Sequence, residues 1–136
     1  MIRLKSNSVN IKNLHPNLLA FLQDMSAMFD GIVVTSGNDS THMIGSRHYI
    51  NKAIDIGAYS SNKDAYAAFR KYVKENSSAL KLKYGLEDII DEGSHIHIEL
   101  PLTTNELKVE KQTKYILIGT IILLFGGFLI YHFKIK

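Results

Sequence analysis

Hydrophobic and polar positions along the chain fall into blocks of different period. From Pro16 to Asp30 (PNLLAFLQDMSAMFD), Leu18, Leu22, Met25 and Phe29 recur at i, i+4, i+7 and i+11, which is one apolar face of a helix. Pro16 suits its first position, and Gly31 ends it. Ile32 to Thr35 reads as a short buried strand, and Ser36 to Arg47 as a polar loop with Gly37 and Gly45. Ala53 to Ile56 is a second strand. A helix is predicted over residues 62–76, opened by a capping-box pattern at Ser61 and Asp64. Its apolar stripe is Ala65, Ala68, Phe69, Tyr72 and Val73, a pattern of core packing. Leu86 to Ile90 fits a strand. Ser94 to Leu100 (SHIHIEL) alternates as a strand until Pro101 stops it. Thr103 to Thr113 is polar, a linker or a helical lead into the C-terminal block. The expected fold class is α+β, with helices packed on a small, mainly antiparallel sheet.

That C-terminal block is of another kind. Tyr115 to Phe133 (YILIGTIILLFGGFLIYHF) contains no Asp, Glu, Lys or Arg. Its nineteen residues reach about 28 Å as a helix, close to the ~30 Å hydrocarbon core of a bilayer. Lys114, Lys134 and Lys136 flank it, and Tyr115 and Tyr131 stand near its ends, where amphipathic rings favour the headgroup level. A C-terminal transmembrane helix over 115–133 is therefore expected, with the lipid bilayer as a partner. A polar linker over 103–114 would join it to a domain over 1–102, the layout of a tail-anchored protein. Gly126-Gly127 permits close helix packing and thus self-association.

The net charge of +3 invites a nucleic-acid reading, but its distribution removes it. Residues 1–113 carry 13 Lys+Arg and 13 Asp+Glu, so the excess comes from the three lysines flanking the span. No basic run with interleaved aromatics occurs, so no nucleic-acid partner is expected. The chain has no cysteine, which excludes disulfides and thiolate metal sites and leaves His and carboxylates as the ligands of any metal.

Four histidines cluster with carboxylates in two segments: His48 with Asp55, preceded by His42, and His95 with His97, preceded by Asp91 and Glu92. Along a strand, side chains alternate in direction, so His95 and His97 share a face with Glu99 while Ile96 and Ile98 point into the core. Asp55 likewise points away from Ile54 and Ile56. A carboxylate in an Ile-rich strand is costly to bury without a partner, and a metal or hydrogen-bond donor removes that cost. Two histidines and one carboxylate can hold Zn²⁺ and leave a fourth position open for water, the catalytic kind of site.

The pattern Ser46-x-His48-x-x-x-x-Ala53-x-Asp55, followed by His95-x-His97, resembles the zinc D-Ala-D-Ala carboxypeptidase family, which shares its fold with the Hedgehog signalling domain. Val34-Thr35-Ser36-Gly37 resembles the V-T-S-G of that family, and SGNDSTHMIGSRHYINKAIDIG is similar to versions seen in phage-encoded members. The likeness spans roughly residues 16–100. It implies a Hedgehog/DD-peptidase-like fold, a zinc cofactor held by His48, Asp55 and His97, and peptidoglycan stem peptides as substrate. It assigns His95 to catalysis and places His42 on the site rim. Glu92 and Asp91 are the candidates for the general base, Glu92 being closer in sequence. Two departures stand out. Asn51 occupies the position of the motif glycine, and Asn38 and Asp39 stand where many members carry a substrate-holding arginine, leaving Arg47 as the candidate replacement. The expected function is a membrane-anchored zinc peptidase, phage-encoded, acting in wall penetration or lysis from a host membrane or the membrane of a lipid-containing virion. The rival expectation is a non-catalytic zinc-binding protein of the virion, in contact with virion proteins, or a wall-binding module.

Overall fold

The computed structural model describes residues 1–113 apart from 40 and 59–62, together with residues 115, 116 and 118. The chain divides into two compact units, residues 1–101 and 102–136. The first contains, in order, β1 (Arg3–Leu4), α1 (Pro16–Met28), β2 (Val33–Ser36), a 3-10 turn (Arg47–Ile50), β3 (Ala53–Gly57), α2 (Lys63–Glu75), α3 (Ser77–Tyr84), β4 (Asp88–Asp91) and β5 (His95–Glu99). The strands form one five-stranded sheet in the order β1-β2-β3-β5-β4. β1 runs parallel to β2, and every other pair is antiparallel. The class is α+β with a mainly antiparallel sheet, as the alternation predicts.

The two faces of the sheet differ as the period of two requires. Ile54 and Ile56 of β3 and Ile96 and Ile98 of β5 are fully buried. They share one apolar core with Leu18, Phe21, Leu22 and Met25 of α1, Phe69 and Val73 of α2, and Leu80 and Tyr84 of α3. The opposite face carries Asp55, His95, His97 and Glu99, all half-buried. Strand registers bring these together, because Asp55 pairs with His97 and Gly57 with His95.

Several elements differ from the sequence expectation in instructive ways. α1 stops at Met28 and Phe29 is already extended (φ −124°), though its ring still packs against the core, and the helix buries Phe21 in addition to the expected Leu18, Leu22 and Met25. His15 caps this helix, its Nδ1 accepting the Asn17 N–H at 3.2 Å. In α2 the buried face is Tyr66, Phe69 and Val73, while Ala68 is exposed. The large rings set the face because they bury far more apolar area than alanine does. β1 and α3 have no counterpart in the sequence expectation. A two-residue strand carries no readable period, and α3 buries only Leu80 and Tyr84. Gly85 (φ 63°) closes α3, and the Leu86 N–H returns to the Lys81 carbonyl at 2.9 Å. That closure uses Leu86, so β4 begins at Asp88 rather than at residue 86.

In the second unit, residues 104–113 are helical, so the segment expected as a linker takes the helical form. Thr103 and Glu106 form a reciprocal capping box, the Thr103 N–H donating to Glu106 Oε2 at 2.6 Å and the Glu106 N–H to Thr103 Oγ1 at 3.4 Å. The cap predicted at Ser61 lies outside the described residues. So does the span predicted over 115–133, including Gly126-Gly127, apart from residues 115, 116 and 118. Among the described residues no helix is long and apolar enough to cross a membrane.

Asn51 closes the 3-10 turn at φ 60° and ψ 26°, the one non-glycine residue with positive φ among those described. Its N–H donates to the His48 carbonyl at 3.1 Å. Asparagine tolerates this left-handed geometry, whereas a Cβ-bearing residue without a short polar side chain meets a cost of about 1–2 kcal/mol there. Asn51→Ala should destabilise the full chain by about 1 kcal/mol in denaturant titrations, with Asn51→Gly close to the parent. An Asn51→Ala variant as stable as the parent would refute the account of this turn.

Candidate metal centre

Asp55 lies at the middle of β3, flanked by buried Ile54 and Ile56, and its carboxylate points to the opposite face. His97 is its register partner on β5, and His97 Nδ1 stands 2.8 Å from Asp55 Oδ1. His48 arrives from the 3-10 turn, which packs against β3, and its Nε2 lies 3.4 Å from the same oxygen. The ligand atoms of the three residues all lie within 4.8 Å of one another. Atoms bound to one tetrahedral zinc with bonds of 2.0–2.2 Å are about 3.3–3.6 Å apart. The two separations from Asp55 Oδ1, 3.4 and 2.8 Å, bracket the lower end of that range, and the group could hold a metal ion.

The local sequence explains how His48 is aimed. Its Nδ1 donates to the Gly37 carbonyl at 2.9 Å, which makes Nε2 the ring nitrogen that faces Asp55. Ser46 caps the turn, its Oγ accepting the His48 N–H at 3.3 Å. Gly37 has no room for a side chain, because a Cβ there would fall 2.3 Å from the Asn10 carbonyl oxygen. Asp39 holds this loop, its Oδ1 accepting the N–H of Gly37 at 2.6 Å and of Asn10 at 3.2 Å. Asp39 thus ties the loop to the N-terminal segment, at a position where many members of the resembled family carry an arginine.

Beside the three candidate ligands, His95 Nε2 lies 3.6 Å from Asp55 Oδ1 and 3.1 Å from Glu92 Oε2. Glu92 precedes the two-residue turn Gly93-Ser94, and its N–H donates to the His95 carbonyl at 3.0 Å. Glu92 and His95 are therefore opposite each other and share a sheet face. Asp91 falls on the other face, opposite buried Ile96. There Arg70 of α2 holds it through two contacts of 2.7 Å, and Lys74 lies 3.5 Å away. Arg70, with help from the Gly93 N–H, draws the Asp91 carboxyl down to about 2, too acidic for a base near neutral pH. Of the two base candidates, the structure brings only Glu92 to the histidines.

His42 reaches the site from the loop. Its ring stacks on His48 at 4.1 Å between centroids, and Tyr49 brackets its backbone, accepting from the His42 N–H and donating to its carbonyl. Arg47 is near but engaged. It meets Glu99 Oε1 at 3.0 Å, the Leu100 carbonyl at 2.8 Å, and Glu87. The expectation that Arg47 holds substrate finds its guanidinium already bound within the protein. Glu99, which strand alternation places on this face without assigning it a role, lies with Oε2 at 3.2 Å from His97 Nε2. Its ion pair with Arg47, 52 positions away, has no local signal in the sequence.

Burial pushes the Asp55 carboxyl up, but hydrogen bonds from His48 and His97 outweigh it and hold the group well below the usual carboxylate range. Burial pulls His97 down, and hydrogen bonds to Asp55 and Glu99 more than reverse this, raising it above its ordinary 6.5. No protein-family model, curated protein or solved structure matches the chain.

These directions set a pH dependence. Because the folded value of His97 is raised, its protonated form stabilises the metal-free fold. That contribution is complete below about 6.5 and is lost as pH rises through the folded value. A metal displaces the proton on Nδ1, so metal affinity should rise across the same window. Thermal melts of the full chain in chelator should show a decline above pH ~6.5 that His97→Gln flattens. A decline of equal size in the variant would remove His97 as its source.

Proposed function

We propose that the chain is a zinc-dependent peptidase of the D-Ala-D-Ala carboxypeptidase or endopeptidase type, acting on peptidoglycan stem peptides or cross-links while anchored to a bilayer through residues 115–133. The observation that carries this reading is the convergence of His48, Asp55 and His97 beside the Glu92–His95 pair. Two imidazoles and one carboxylate suit zinc better than magnesium or calcium, which favour all-oxygen sets. The peptidoglycan substrate, the Hedgehog/DD-peptidase-like fold and a phage setting are supported by the resemblance of the Ser46–Asp55 and His95–His97 motifs.

A bound zinc ion would supply Lewis acidity, activating water and polarising the scissile carbonyl. Glu92 takes the proton from the attacking water and passes it to the leaving amine. His95 Nε2–H steadies the Glu92 carboxylate before attack and, once Glu92 has taken the proton, turns to the charge developing on the carbonyl oxygen. His42 packs over His48 and shields that side of the site from water.

One observation favours a second reading, a membrane-anchored zinc-binding protein without catalysis. Arg47 is occupied by Glu99, Glu87 and the Leu100 carbonyl and so is not presented to a substrate. A single assay separates the two. The full chain in detergent is incubated with muropeptides, with and without chelator. The peptidase should release D-Ala or split cross-links, lose activity to chelator and regain it with zinc. Glu92→Gln should lower kcat by roughly 10²–10⁴-fold while zinc stays bound. Bound zinc with no cleavage would support the second reading, and absence of zinc binding would overturn both.

A further inference from the structure

We infer that Glu99 and Arg47 form an outer relay that positions His97, selecting Nδ1 as its metal-facing nitrogen and locking the two histidine-bearing segments together. This rests on His48, Asp55 and His97 holding a metal. An imidazole can bind through either nitrogen, and the hydrogen bond made by the other decides which. Glu99 Oε2 stands 3.2 Å from His97 Nε2, on the side away from Asp55. It accepts the Nε2–H and leaves Nδ1, 2.8 Å from Asp55 Oδ1, with its lone pair for the metal.

Glu99 is half-buried, and a carboxylate so placed needs a partner. Arg47 supplies it at 3.0 Å and is itself fixed by the Leu100 carbonyl at 2.8 Å and by Glu87. Arg47 immediately precedes His48 in the 3-10 turn, whereas Glu99 and His97 lie on β5. The chain His48–Arg47–Glu99–His97 therefore joins one ligand to the other without passing through the metal. His48 has a different arrangement for the same purpose, since the Gly37 carbonyl sets its tautomer. Arg47 is accordingly a positioning residue rather than a substrate clamp.

The test uses the full chain in detergent, with zinc affinity measured by competition against a chromogenic chelator at a temperature where every variant is folded. Glu99→Leu should weaken zinc binding by roughly 10–100-fold, and Glu99→Gln, whose amide oxygen still accepts the Nε2–H, should recover most of the loss. Arg47→Met should weaken binding similarly, and the double variant Glu99→Leu/Arg47→Met should be no worse than the worse single variant, because both break one relay. Additive losses, or equal zinc affinity in Glu99→Leu and the parent, would overturn the relay. Nitrogen-15 NMR of the zinc-loaded parent gives a readout independent of any variant. His97 should appear as the Nε2–H tautomer, and a His97 ligated through Nε2 would overturn the inference. A parent chain that binds no zinc would instead remove the metal reading on which the relay rests.

Discussion

The site depends on one oxygen atom, Oδ1 of Asp55. β3 is an interior strand, and its neighbours along the chain, Ile54 and Ile56, are fully buried. A carboxylate in that position loses hydration, and leaving it without partners would cost several kcal/mol. The fold surrounds the oxygen with three imidazoles, at 2.8 Å from His97, 3.4 Å from His48 and 3.6 Å from His95. The strand register delivers two of them directly, since β5 runs beside β3 with His97 opposite Asp55 and His95 opposite Gly57. The third needs a loop to turn back over the sheet.

Backbone constraints shape that loop. Gly37 lets the chain pass against the Asn10 carbonyl, Asp39 clamps the same two segments, and the Gly37 carbonyl then receives His48 Nδ1. Ser46 starts the 3-10 turn that presents His48, and Asn51 ends it in the left-handed region. The residues separating His48 from Asp55 are thus the length of one capped turn plus the entry to a strand. The motif spacing is a consequence of that geometry. His97 reaches Asp55 from 42 residues further along the chain, and each histidine is oriented by a hydrogen bond outside the group, His48 by the Gly37 carbonyl and His97 by Glu99, as preorganisation of a metal centre would require.

Much of this is legible in the sequence because it arises from short-range periodicity. The alternation of SHIHIEL puts His95, His97 and Glu99 on one face, and the isoleucines around Asp55 mark it as an ionisable group at the edge of a core. The asparagine at position 51 is readable as a left-handed residue. Less is legible in the helices. The face of α2 rotates toward Tyr66 because rings outweigh alanines, and α3 has too few buried positions to announce itself.

What the sequence determined by itself, then, is which side chains share a face and which residue types can bend the backbone, because those depend on neighbours a few positions apart. Only in the folded chain does Glu92 rather than Asp91 lie beside His95, because of where the β4–β5 hairpin reverses and because Arg70 of α2 captures Asp91. The pairing of Arg47 with Glu99, across a separation of 52 residues, likewise exists only in the folded chain. Charge pairing between distant segments leaves no periodic trace in a sequence. It appears only when the strands are in register and the loop has folded over them.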